Sequence, residues 1–171
     1  MSSTTDKSSH STKELPARLR EAIGQAQGQY YRLVLLTGPP DTGKTTALRA
    51  VAEDDGRRLV NVNLELCRRM LDFTRVQRER QVERLMKEIL AAEPGEVVFL
   101  DNLEVLFDPS LSVEPLRLLQ MLSRTRTIVA SWGGRYESGM LTYAEPGHPE
   151  YARFQPVAAI VVAAGEPDTP H

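Results

Sequence analysis

The stretch Gly38-Pro39-Pro40-Asp41-Thr42-Gly43-Lys44-Thr45-Thr46 narrows what this chain can become more than any other. It follows the apolar run YRLVLLT and precedes TTALRAVAEDDG, whose helical periodicity closes at Gly56. A buried strand, a glycine loop and a helix in that order make a cradle for phosphate groups. At Gly43 a side chain would cover main-chain N–H groups that must face an anion, and the helix start adds free N–H groups and a favourable dipole. Lys44 brings a mobile cation to the outer phosphates, and Thr45 offers a hydroxyl to a magnesium ion. Pro39 and Pro40 restrict the loop in advance and so lower the ordering cost of binding. Gly38 to Thr46 is therefore the expected nucleotide-binding segment, with ATP as ligand and Mg2+ as its companion ion.

Around this loop the chain alternates strand and helix. Leu15, Leu19, Ala22, Ile23 and Ala26 recur at helical spacing between Glu14 and Gln27, and Gly28 follows as a stop. RRLVNVNLE reads as a strand, about Thr74 to Ala92 as a helix and EVVFLD as a strand ending in Asp101. EPLRLLQMLS is a further helix with Pro115 in its first turn, RTIVASW a strand, and VAAIVVAA, residues 157–164, a last apolar run. Apolar strands joined by helices predict a mainly parallel five-stranded sheet covered on both faces, with every carboxyl end on one edge where a site should lie. The expected fold is an α/β three-layer P-loop NTPase without a separate lid domain. Its single domain is expected to span residues 13–165, including the N-terminal helix. Residues 1–12, in which eight of twelve are Ser or Thr, and residues 166–171 are expected to be tails.

VVFLDN is the second motif. A carboxylate at the end of an apolar strand, one strand-helix unit beyond the loop, suits Asp101 to magnesium. Many hydrolysing relatives of such chains place Glu next, whereas this chain has Asn102, which can hydrogen-bond a water but cannot take its proton. Two carboxylates are possible substitutes, Glu104 just beyond the strand and Glu65 at the end of LVNVNLE. The arrangement resembles RecA-like ATPases of the ASCE group, in which the catalytic Glu projects from the strand after the P-loop helix, and this resemblance favours Glu65. Ser131 ends TIVAS on the same edge, where AAA+ ATPases, also similar in layout, keep a polar sensor of the terminal phosphate; a plain strand-end hydroxyl is the alternative. Beyond it WGGRYESGMLTYAEPGHPEYARF is unusually long for a connection. Within it Arg135 is either a solvated loop residue or a group that stabilises charge on a transferred phosphoryl, in a neighbouring copy of a homo-oligomer if not in its own.

The remaining residues limit partners. The formal net charge of −2 gives no global attraction to nucleic acid or anionic lipid. Arg68, Arg69, Arg75, Arg78, Arg80 and Arg84 are interleaved with Asp72, Glu79, Glu83 and Glu88, which reads as a solvated helix face, so direct DNA binding by the isolated chain is not expected. His10, His148 and His171 have no metal-ligand spacing, and a single cysteine, Cys67, permits neither an internal disulfide nor a thiolate zinc cage. No apolar run is long enough to span a membrane and no secretory pattern opens the chain, so a cytoplasmic protein is expected.

Four stretches carry a more specific resemblance: LVLLTGPPDTGKTTALRAVAED, LVNVNLELCRRML, VVFLDNLEVLFDPSLSVEPLRLLQMLSRTRTIVASW and GRYESGMLTYAEPGHPEYARF. From Tyr30 to Phe154 the chain resembles the BrxF family, small P-loop proteins of type III BREX bacteriophage-exclusion systems, with DNLEVLFDPSL and TYAEPGHPEY the most specific segments. The resemblance implies a role in antiviral defence beside a DNA methyltransferase, an alkaline-phosphatase-like protein, a helicase and a larger ATPase. It extends to the P-loop residues and Asp101; the roles given to Glu65, Asn102, Ser131 and Arg135 are not carried by it.

Overall fold

The computed structural model describes residues 6–165, with side chains described from Glu14 onward. Helix α1 (Asp6–Ala26) leads into β1 (Leu33–Thr37), the glycine loop and α2 (Lys44–Asp54). Then come β2 (Leu59–Asn61), α3 (Val62–Arg69), α4 (Arg75–Ala91) and β3 (Val97–Asp101). Two short 3-10 turns, Glu104–Phe107 and Pro109–Leu111, precede α5 (Pro115–Leu122) and β4 (Thr127–Trp132). The chain closes with β5 (Tyr136–Glu137), β6 (Met140–Tyr143), β7 (Ala152–Phe154) and β8 (Ile160–Ala163).

The main sheet has the order β2-β3-β4-β1-β8, and every pairing in it is parallel. Thus β4 lies between the strand that feeds the glycine loop and the strand that ends in Asp101, as expected for a three-layer P-loop fold. All five residues of β1 and all six of β4 are buried, since both faces are covered. Alternate residues serve opposite layers. Leu33 and Leu35 of β1 join Leu66, Met86, Leu119 and Ile128 on one face, whereas Val34 and Leu36 join Leu19, Leu48 and Val51 on the other. Each such fully buried aliphatic side chain contributes about 1.5–3 kcal/mol.

Three expectations change. First, α1 starts at Asp6, ahead of the Glu14 start that apolar spacing gives, so residues 6–12 are helical where a tail was expected. Composition argues from burial, whereas a helix anchored at one end extends by one hydrogen bond per residue fixed. Residues 1–5 and 166–171, expected as tails, lie outside the described residues.

Second, the strand read in LVNVNLE stops at Asn61. The side chain of Asn61 accepts a hydrogen bond from the Leu64 N–H at 3.0 Å and caps α3. Val60, Val62 and Leu64 mimic strand alternation, but Leu64 is 49% exposed, and the buried set is Val62, Leu66 and Met70 at helical spacing.

Third, the long segment after Trp132 is not a bare connection. It folds into an antiparallel sheet of order β5-β6-β7. Glu137 pairs with Met140 across a two-residue loop in which Ser138 and Gly139 have φ of +52° and +77°, the geometry of a tight hairpin. This small sheet packs on the main one through aromatic rings. Phe107 stacks on Tyr143 with centroids 3.4 Å apart, Trp132 meets Phe154 edge-on at 5.4 Å, and the Trp132 indole donates to the Thr142 carbonyl at 2.8 Å.

The arginine-bearing α4 presents a solvated face, as its mixed charges suggest. Thr74 and Gln77 form a capping box at its start. Lys87 pairs with Glu83 at 3.1 Å and Arg84 with Glu88 at 3.5 Å, one helical turn apart. No described helix is long and apolar enough to cross a membrane.

Candidate functional site

The site is assembled where strands β1, β3 and β4 end. Leu36 pairs with Ser131 and Leu100 with Ala130, which brings the last residue of β3, Asp101, level with Ser131. The Ser131 hydroxyl hydrogen-bonds Asp101 Oδ1 at 2.5 Å, and the Thr45 hydroxyl donates to Asp101 Oδ2 at 2.8 Å. Asp101 is buried, so its two oxygens are fixed by hydroxyls from two neighbouring elements.

The glycine loop closes over this pair. Gly38 has a φ of +148°, and a Cβ there would meet the Ala164 carbonyl oxygen at 2.8 Å, so glycine is required. Gly43, with φ +84°, occupies the N-cap position of α2 without a side-chain cap, leaving the first N–H groups of that helix open toward an anion. The Lys44 ammonium folds back onto the carbonyls of Gly38 and Pro39, the latter at 3.0 Å. Burial pulls its pKa below the ordinary lysine value, and the charges of Asp101, Glu104 and Asp41 oppose that pull. The Thr42 hydroxyl donates to Pro39 O at 2.7 Å and stiffens the turn.

Together these groups line a cavity of about 360 Å³ running from Pro40 to Thr46 and across to Asp101, Asn102, Glu104, Ser131 and Gly133. Helix-start N–H groups and an ammonium suit a polyphosphate. One hydroxyl and one carboxylate suit Mg2+, a hard cation that completes its shell with water and phosphate oxygens. Among the described residues no cluster of three or more His, Cys, Asp or Glu offers another metal cage.

The residues expected here divide into two groups. Pro40 to Thr46, Asp101, Asn102 and Ser131 line the cavity, and Gly38 and Pro39 join them through their carbonyls, which hold Lys44. Glu65 does not: it sits on α3 rather than at a strand end, because Asn61 has already turned the chain into that helix. Its carboxylate is held by Arg69 at 2.5 Å, with Arg58 at 3.8 Å. The Arg69 hydrogen bond holds its pKa below the usual glutamate value against the opposing effect of burial, and Arg58 and Arg68 add to the lowering. Arg135 also lies away from this cavity, lining a second one on the small sheet with Glu137, Thr142, Glu145, Tyr151 and Arg153.

Two features were not legible in advance. Gly133 and Gly134 fasten the small sheet to the loop: Gly134 O accepts from the Gly38 N–H at 2.9 Å, while Gly133 O accepts from Ala144 N at 3.0 Å. The Gly-Gly pair was the available signal. The other feature is how far Glu104 reaches. Asn102 adopts φ +55°, and the 3-10 turn after it is anchored by buried Leu103 and Leu106, which leaves Glu104 on the cavity side.

The family model described as AAA, ATPase family associated with various cellular activities, matches residues 34–125, more than half of the 171-residue chain. The chain belongs to the AAA ATPase family. The AAA match includes the loop, Asp101 and Glu104 and stops short of Ser131 and the small sheet. A curated relative, ATPase family gene 2 protein homolog B of Bos taurus, is 30% identical over 92 residues, covering 54% of this chain but only 12% of that protein. Among solved structures, C. elegans PCH-2 is similar with a TM-score of 0.41 and 18% identity, over 95% of this chain and 41% of the other.

The ring stack beside the cavity has a measurable consequence. Burial, with the nearby charges of Glu104 and Glu150, pushes the Tyr143 hydroxyl up to about 12 from 10.0. The folded chain thus holds that proton more tightly than the unfolded one, and the corresponding stability is complete below pH 10 and lost as pH rises through about 12. Chemical denaturation across that range should show a steeper alkaline decline in the unaltered protein than in Tyr143→Phe; identical declines would refute the assignment.

Proposed function

We propose that this AAA-family chain binds Mg-ATP at the β1–α2 loop and hydrolyses it as a component of a BREX bacteriophage-exclusion system. The observation that carries the nucleotide reading is the convergence of Lys44, Thr45, Asp101 and Ser131 on one cavity at the carboxyl edge of the sheet. In this reading the N–H groups at the start of α2 and the Lys44 ammonium hold the phosphates, and Thr45 and Asp101 hold Mg2+. The ion, when bound, neutralises charge on the phosphates. Ser131 serves as the polar sensor of the terminal phosphate, a role that its place beside Asp101 supports. The defence setting is supported by the resemblance carried by DNLEVLFDPSL and TYAEPGHPEY.

Asn102 favours a second reading, a nucleotide-dependent assembly module that turns over little, because the residue after Asp101 is not a proton acceptor. Arg135 lines a cavity other than that of its own loop, which supports a part in catalysis on a neighbouring copy. An arginine acting in trans contributes about 10³ to 10⁵ in rate in related chemistry. Turnover measured against protein concentration tests the proposal. ATPase activity per chain that rises with concentration, and rises less in Arg135→Ala, is expected. Saturable binding with no turnover at any concentration, alone or with other BREX components, would favour the assembly module.

A further inference from the structure

We propose that Glu104 is the carboxylate that takes the proton from the hydrolytic water in this chain. The inference rests on the nucleotide-binding reading above and assigns a residue that the departure at Asn102 leaves open.

Three carboxylates line the loop cavity: Asp41, Asp101 and Glu104. Asp101 is committed, with one oxygen bonded to Thr45 and the other to Ser131. Asp41 sits within the glycine loop itself at φ +62°, among the groups that surround the phosphates. Glu104 alone faces the cavity from the opposite wall, at the start of the Glu104–Phe107 turn. Glu65 is engaged by Arg69, and the Asn102 side chain is an amide, which cannot take a proton.

The Glu104 turn is well braced. Leu103 and Leu106 are buried, the Leu106 N–H bonds Leu103 O at 2.9 Å, and Phe107 is stacked flat on Tyr143. Such a support fixes the main chain of Glu104 beside the cavity and so limits where its carboxylate can reach. The charged and titratable groups that face it are Lys44 from α2, Asp101 from β3, Asp41 from the loop and Tyr143 from β6. Lys44 is the nearby cation.

In the step itself the water oxygen bonds to the γ-phosphorus while the bond from that phosphorus to the β–γ bridging oxygen breaks. The bridging oxygen keeps the electron pair and leaves with ADP. The water proton passes to the Glu104 carboxylate and afterwards to solvent, so ATP and water give ADP and phosphate with no redox change.

The test measures thermal stabilisation by Mg-ATP and ATP turnover on the same samples of the unaltered chain, Glu104→Gln and Glu65→Gln. Glu104→Gln should keep the stabilisation, lose roughly 10²-fold or more in turnover and lose the acidic limb of the pH–rate profile. Glu65→Gln should keep both that limb and the turnover. Full turnover in Glu104→Gln, or a parallel loss of stabilisation and turnover, would overturn the assignment. Stabilisation without turnover in the unaltered chain would overturn it too while leaving nucleotide binding intact. An absence of stabilisation would remove the nucleotide reading itself.

Discussion

Replacing Lys44 with alanine is expected to abolish the stabilisation that Mg-ATP gives to the fold. A ligand that binds only the folded state stabilises it by about 2.7 kcal/mol at a hundredfold excess over its dissociation constant. For a domain of this size that corresponds to a rise in Tm of roughly 5–11 °C. Lys44 is the cation of the cavity, partly desolvated and satisfied in the free chain by the Gly38 and Pro39 carbonyls, which a phosphate would replace. Removing it takes away an ammonium that burial disfavours, so the ligand-free Tm should move little. The effect should appear almost wholly as lost response to nucleotide. An equal shift in Lys44→Ala and the unaltered protein would place the nucleotide elsewhere.

Gly134→Ala is expected to be among the most damaging single substitutions outside the core. A Cβ at Gly134 would lie far inside contact distance of the Thr142 carbonyl oxygen, which is main chain and cannot rotate away. That approach is bracketed by hydrogen bonds, Thr142 N to Arg135 O at 2.8 Å and Ala144 N to Gly133 O at 3.0 Å, and the same carbonyl of Thr142 accepts from Trp132. Relief requires β6 to move off the end of β4, loosening the Phe107–Tyr143 stack and the Gly38–Gly134 bond that fixes the loop. A loss of about 3 kcal/mol, near the upper end for overpacking, is expected, or roughly 6–12 °C in Tm. Gly133→Ala should cost less, because its Cβ would meet only the edge of the Tyr143 ring, at 3.3 Å. Equal melting temperatures for Gly134→Ala and the unaltered chain would show that the small sheet is not held as described.

The main sheet was legible because β1, β3 and β4 are buried on both faces and, like the edge strand β8, read as continuous apolar runs. The glycine loop was legible because its function dictates residue type and spacing together. What failed had physical reasons. Val60, Val62 and Leu64 alternate like a strand, but the Asn61 side chain offers Leu64 N–H a partner and the chain turns helical, moving Glu65 away from the strand edge. In the segment after Trp132, β5 and β7 are only two and three residues long, too short for periodicity to register; the Ser138-Gly139 turn was the better signal. Glu104 was visible as a residue, but its direction depends on the left-handed backbone of Asn102, which spacing does not encode.

In the proposed function one cavity takes a nucleotide and its metal together. Calorimetric titration of ATP into the unaltered chain, with and without Mg2+, and into Asp101→Asn tests this most directly. One saturable site per chain is expected, tightened by Mg2+ in the unaltered protein, with that Mg2+ dependence largely lost in Asp101→Asn. Binding that is indifferent to Mg2+ in both proteins, or no binding at millimolar ATP, would contradict it.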